Sequence, residues 1–105
     1  MSTAPGRVRV LLHLRAEAEQ VPEVEEAYHL ISKELDGTPG LLGNELLRDL
    51  TAPGGYAVLS AWDSLAAFRA WEEGAAHRGT TSPLRAFQDH GRPSPFALFE
   101  VAAAY

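Results

Sequence analysis

Alternation opens the chain. In "RVRVLLHLR", Val8, Val10, Leu12 and Leu14 fall on one side and Arg7, Arg9, Leu11, His13 and Arg15 on the other, the two-residue period of a strand with one apolar face. The period then changes. In "VPEVEEAYHLISKELDG", Val24, Ala27, Tyr28, Ile31 and Leu35 recur at helical spacing, glutamates occupy the first turn, and Gly37 supplies the stop. Pro39-Gly40 turns the chain into a mixed strand, "GLLGNELLRDL", carrying Leu42, Leu46 and Leu47, and "TAPGG" reverses it. "YAVLSAW" alternates again, with Tyr56, Val58, Ser60 and Trp62 on one face and Ala57, Leu59 and Ala61 on the other, so these two segments read as a hairpin. Asp63-Ser64 offers an N-cap to "LAAFRAWEE", a helix whose stripe holds Leu65, Phe68, Trp71 and Ala75 and which Gly74 is expected to end. "HRGTTSPLRAFQDHGRPSP" is loop-like at both ends with a helical turn or two around Leu84 to Phe87, and "FALFEVAAAY" closes as a β-rich run.

Strand, helix, strand, strand, helix, strand is the βαββαβ order of a ferredoxin-like α+β sandwich on a four-stranded antiparallel sheet. The expected organisation is a flexible leader over residues 1–6 and a single domain over residues 7–105. Two helices cover only one face of such a sheet, and the other carries Leu11, Leu59, Phe99 and Val101, too apolar together to stay wet. A homodimer packed sheet on sheet would hide them.

Composition narrows the partners. Of 105 residues, 46% are hydrophobic and 22% charged, which suits a folded globular chain. The formal net charge of −5 disfavours nucleic acid or an anionic membrane surface as partner. The absence of cysteine removes disulfides, thiolate nucleophiles and cysteine-ligated metals. The first apolar run is too short and too charged to span a bilayer, so a cytoplasmic protein is expected. No histidine or carboxylate pair has ligand spacing, and neither a Gly-rich phosphate loop nor G-x-S-x-G is present, so no metal, nucleotide or serine-hydrolase site is expected.

This order, with "PGLLGNELLRD", the Trp62-Asp63-Ser64 step, the aromatic pair Phe68 and Trp71 on the helix after it and a following "AAH", resembles the antibiotic biosynthesis monooxygenase family, small dimeric α/β barrels. The resemblance runs from Arg7 to Tyr105. It implies, for one branch, oxidation of aromatic polyketides to quinones with dioxygen and no cofactor. That branch keeps the tryptophan of Trp62, an asparagine where this chain has Val58, and a tyrosine where it has Phe68. A second branch degrades heme and places a tryptophan at Trp71 and an iron-ligating histidine further on; Thr81 stands at that distance here, and His77 is the nearest histidine. His13 falls near an asparagine of that branch.

The resulting expectation is a cofactor-independent monooxygenase acting on a phenolic or polyketide-type aromatic and dioxygen. The alternatives are a heme-binding or heme-degrading protein, or a non-catalytic small-molecule-binding dimer. His77 is the candidate base, since an imidazole titrates near neutrality and can remove a phenolic proton, and Trp62 is the second candidate catalytic residue. Phe68, Trp71, Tyr56 and Val58 are candidate pocket walls, and Arg78 a candidate holder of the oxyanion. Indoles suit flat substrates, their faces stacking and their N–H groups anchoring an oxygen. Each has a plainer reading: the aromatic residues as core, His77 and Arg78 as solvated side chains. His29 and His90 are expected to face solvent.

Overall fold

The computed structural model describes residues 6–78, 82–94 and 96–105, with the side chains of 75–82 also outside the description. The leader read at residues 1–6 therefore lies, apart from Gly6, outside the described residues. The elements are β1 (Val8–Arg15), a 3-10 turn (Ala18–Gln20), α1 (Val21–Leu35), β2 (Leu41–Arg48), β3 (Gly55–Trp62), α2 (Leu65–Arg78), a short α3 (Ser82–Arg85) and β4 (Phe96–Glu100). The sheet order is β2-β3-β1-β4, and the paired strands are antiparallel. This is the ferredoxin-like α+β architecture that the order of periods predicts.

Register decides which side chains meet. Val8, Val10, Leu12 and Leu14 pair with Trp62, Ser60, Val58 and Tyr56 on the face that the helices cover. Arg9, Leu11 and His13 pair with Ala61, Leu59 and Ala57 on the face they leave open. In β2 the alternation is broken by a bulge between Leu41 and Gly43 that leaves Leu42 exposed. The extra residue resets the phase, so Leu41 and Asn44 both turn inward, a change the leucine-rich sequence does not reveal.

Helix ends follow local chemistry. Pro22 sits in the first turn of α1, where its missing N–H costs nothing. Gly37 follows α1 with φ +82°, the left-handed conformation a helix stop favours. The backbone N–H of Ala67 donates to Ser64 Oγ at 3.1 Å, the N-cap expected for α2. Gly74 does not end that helix, which continues to Arg78. Gly74 takes no positive φ and so is no C-cap; the cost of about 1 kcal/mol for an interior glycine is offset by aromatic packing on the turns before it. Leu65 is exposed, outside the stripe assigned to it. Nor does β4 run to the chain end: β1 begins at Val8, opposite Glu100, and beyond that pair the Val101 N–H donates to the Arg7 carbonyl at 2.7 Å.

The covered face holds two buried clusters rather than one. Leu14, Ala16, Val24, Ala27, Ile31, Leu35, Leu84 and Phe87 form the first, beneath α1 and α3. Val8, Val10, Trp62 and Phe68 form the second, beneath α2. Trp71 and Leu41 pack against both.

Candidate functional site

Between the two clusters lies a cavity of about 260 Å³. Ile31, Leu35 and Leu84 form one side of it and Val10, Trp62 and Phe68 the other, with Trp71 touching both. That volume lies near the lower end of small-molecule sites, about 300 Å³, and the walls are overwhelmingly apolar. The hollow is thus the seam where the two cores fail to meet.

The aromatic wall is a single contiguous group of three rings. Trp62, only 1% exposed at the end of β3, meets Phe68 edge-on with ring centres 5.5 Å apart. Trp71 completes it at 5.6 Å from Trp62 and 6.1 Å from Phe68, both tilted. Phe68 and Trp71 are three residues apart on α2, so one helix face delivers both rings to the indole of the strand. Val58, two residues before Ser60 on the same face of β3, also lines the cavity. The structure therefore brings together Trp62, Phe68, Trp71 and Val58. It does not bring Tyr56 to them: Tyr56 packs on the first cluster and lines a separate polar hollow.

His77 and Arg78 belong to the last turn of α2, but their side chains lie outside the described residues. Their backbone positions still discriminate. Seven residues on from Trp71, Arg78 returns to nearly the same side of the helix, whereas His77 stands about 120° away. Of the other histidines, His13 lies on the open face of the sheet, and His29 and His90 are exposed.

Polar groups enter the cavity where the sequence reading names none. Asn44 and Ser60 line it from β2 and β3, and Glu72, Arg85 and Gln88 also border it. Trp62 Nε1–H donates to Ser60 Oγ at 2.9 Å, so this indole has no donor left for a ligand and acts as wall, not anchor. The Ser32 hydroxyl donates to Asn44 Oδ1 at 3.1 Å, and the Tyr28 hydroxyl donates to the Asn44 carbonyl at 3.2 Å. Ser60 has a sequence signal, since it alternates in phase with Val58 and Trp62; Asn44 has none, because Leu46 and Leu47, on successive positions, leave the inward face of β2 undecided.

The second hollow, about 250 Å³, lies at the far end of the sheet and has a different character. His13, Arg15, Arg48, Asp49, Asp89 and Arg92 all border it. The Thr51 hydroxyl and N–H beside Asp49, and the Gly91 N–H beside Asp89, hold both carboxyls below the usual aspartate range. Both carboxylates are spent on loop geometry. Among the described residues no group of three or more histidines, aspartates or glutamates is arranged to hold a metal ion, and no helix is long and apolar enough to cross a membrane.

Comparison with known proteins adds three relatives to this geometry. Residues 7–81 match the family model described as antibiotic biosynthesis monooxygenase. The chain is 33% identical over 79 residues to a 42.8 kDa protein in the whiE locus of Streptomyces coelicolor, covering 75% of this chain and 20% of that one. It is 38% identical over 61 residues to a mycobilin-producing heme oxygenase of Mycobacterium tuberculosis, covering 55% and 58%. The chain thus spans about a fifth of the first relative and just over half of the second. Among solved structures it is similar to SnoaB, a cofactor-independent oxygenase from Streptomyces nogalater, with a TM-score of 0.73 and 20% identity over 91% of this chain and 93% of that one.

Proposed function

The chain belongs to the antibiotic biosynthesis monooxygenase family, and on that premise we propose that it oxidises a flat phenolic aromatic of polyketide type with dioxygen, without a bound cofactor, in the cavity between its two cores. The observation that carries this reading is the three-ring wall of Trp62, Phe68 and Trp71 around an apolar hollow. Such a wall binds a planar ring system by stacking and keeps water from the reacting carbon.

The chemistry needs little more. Removal of a proton leaves an electron-rich anion, which passes one electron to dioxygen; the substrate radical and superoxide then combine to a peroxide. Loss of water from that peroxide leaves a carbonyl on the former carbon, one oxygen atom in the product and one in water. Arg78, on nearly the same side of α2 as Trp71, is the proposed partner of the developing oxyanion, and His77, about 120° around the helix from Trp71, is the proposed base.

The heme reading, which the mycobacterial relative raises, has less support. None of the cavity residues with described side chains is a histidine, cysteine, methionine or tyrosine, so these residues offer no axial ligand for heme iron. We propose further that a second copy of the chain covers the open face of the sheet, where Phe99 is 52% exposed beside Leu11, Leu59 and Val101.

Dioxygen uptake with an anthrone tests the proposal. One dioxygen consumed per anthraquinone formed is expected, with kcat reduced about 100-fold or more in His77→Ala as for loss of a general base. No uptake across anthrones and naphthols would sink it. A saturating Soret shift with hemin that vanishes in His77→Ala would put the heme reading in its place.

A further inference from the structure

We infer that Asn44 and Ser60 together form an oxygen-binding subsite that holds the bound aromatic as its anion; this rests on the reading of the cavity as the aromatic site. The two residues are register partners on β2 and β3, side by side on the covered face, and both line the cavity. Directly opposed side chains on neighbouring strands start about 5 Å apart, close enough for both to reach one oxygen.

What each has left to offer follows from the bonds it already makes. Ser60 Oγ accepts the Trp62 indole N–H, which leaves its own hydroxyl hydrogen without an acceptor among the described residues. Accepting that bond also polarises the hydroxyl and makes it a better donor. Asn44 accepts at Oδ1 from Ser32 and at its carbonyl from Tyr28, so its amide nitrogen keeps two hydrogens with no acceptor among the described residues. No buried polar side-chain atom among those residues lacks a partner, so that unpaired nitrogen is accessible rather than enclosed. The subsite therefore presents free donor hydrogens, one on the Ser60 hydroxyl and two on the Asn44 nitrogen, in surroundings of Val10, Val58 and Trp62 that solvate an anion poorly by themselves. Such a pair favours a phenolate or enolate oxygen over a hydroxyl.

Of the charged groups that border the cavity, Glu72 is paired with Arg69 at 2.9 Å, and Arg85 on α3 stands at its exposed rim. Trp62 acts through Ser60 and is a positioning residue. Asn44 and Ser60 also lie on paired strands, where the backbone fixes the angle of approach.

An anaerobic absorbance titration of 1-naphthol, whose phenolate absorbs apart from the phenol, tests the subsite without turnover. The naphthol pKa is expected to fall by about 1 to 2 on binding, the span that hydrogen bonds to a charged oxygen supply. Ser60→Ala and Asn44→Leu should each return it most of the way, Ser60→Thr should restore it, and Trp62→Phe should give an intermediate value. A bound naphthol with unshifted pKa, or a shift that survives Ser60→Ala with Asn44→Leu, overturns the subsite and leaves the cavity assignment standing. Failure of the wild-type protein to bind naphthol at all overturns both.

Discussion

The two faces of the sheet are made from the same strands, one residue out of step, and they solve opposite problems. On the covered face Val8, Val10, Leu14 and Trp62 are withdrawn from water by α1, α2 and α3. On the open face Phe99 and Leu47 stand exposed, with Arg9 opposite Phe99 and His13 opposite Ala57. Burial is complete enough on the first that a hollow can be afforded between its two clusters, whereas the second has apolar area that no helix among the described residues covers. The proposed ligand chemistry accordingly falls on the covered face and the proposed association on the open one.

The sharpest way to break that contrast is to remove Trp62. Its indole is held by Phe68, Trp71 and the bond to Ser60, so Trp62→Ala deletes the largest fully buried side chain at the meeting point of strand and helix. The expected loss is about 3 to 5 kcal/mol, as for other buried aromatic truncations, read as a fall in the urea midpoint at unchanged m-value. Trp71→Ala, taken from the half-buried side of the same wall, should cost less. A loss under about 1 kcal/mol for Trp62→Ala would mean that the second cluster is not a core.

How far the sequence carries depends on how local the cause is. The strands, α1 and its buried stripe of Val24, Ala27, Ile31 and Leu35 are legible because their periods are unbroken over many residues. The length of α2 is not, since Gly74 is a stop signal by propensity and packing overrides it. Trp62, Phe68 and Trp71 can be named from the chain, but their convergence is a fact of three dimensions. Asn44 is beyond reach because Leu46 and Leu47, on successive positions, leave the inward face of β2 undecided in the sequence. The use of the Trp62 N–H is likewise invisible, since Ser60 competes for it only once the strand has set the two side chains on one face.

A smaller effect probes how tightly the covered face is closed. Gly40 has φ +81° and its carbonyl accepts the Asp63 N–H at 2.9 Å, while a Cβ there would collide with the side chain of Ala67 in the first turn of α2 and lie 2.9 Å from Asp63 Oδ1. Gly40→Ala therefore combines a left-handed backbone cost with a clash, together about 2 kcal/mol. Gly37→Ala, with the same sign of φ and open space around it, should show the backbone share alone. Equal losses in the two variants would mean that α2 does not press on the turn before β2.

The smallest effect on the folded chain should come from the open face, and there the contrast becomes quantitative. Phe99 is a large aromatic on β4, as apolar as Phe68 on α2, yet it is more than half exposed where Phe68 is 4% exposed. If a second copy covers it, Phe99→Ser should shift the sedimenting species to half its mass at micromolar concentration. Measured below the concentration at which the wild type associates, its unfolding free energy should stay within about 0.5 kcal/mol, as for a surface substitution. A wild type that sediments as a monomer at micromolar concentration would remove the second copy. A Phe99→Ser chain destabilised as much as Trp62→Ala would place Phe99 in a core and end the distinction between the faces.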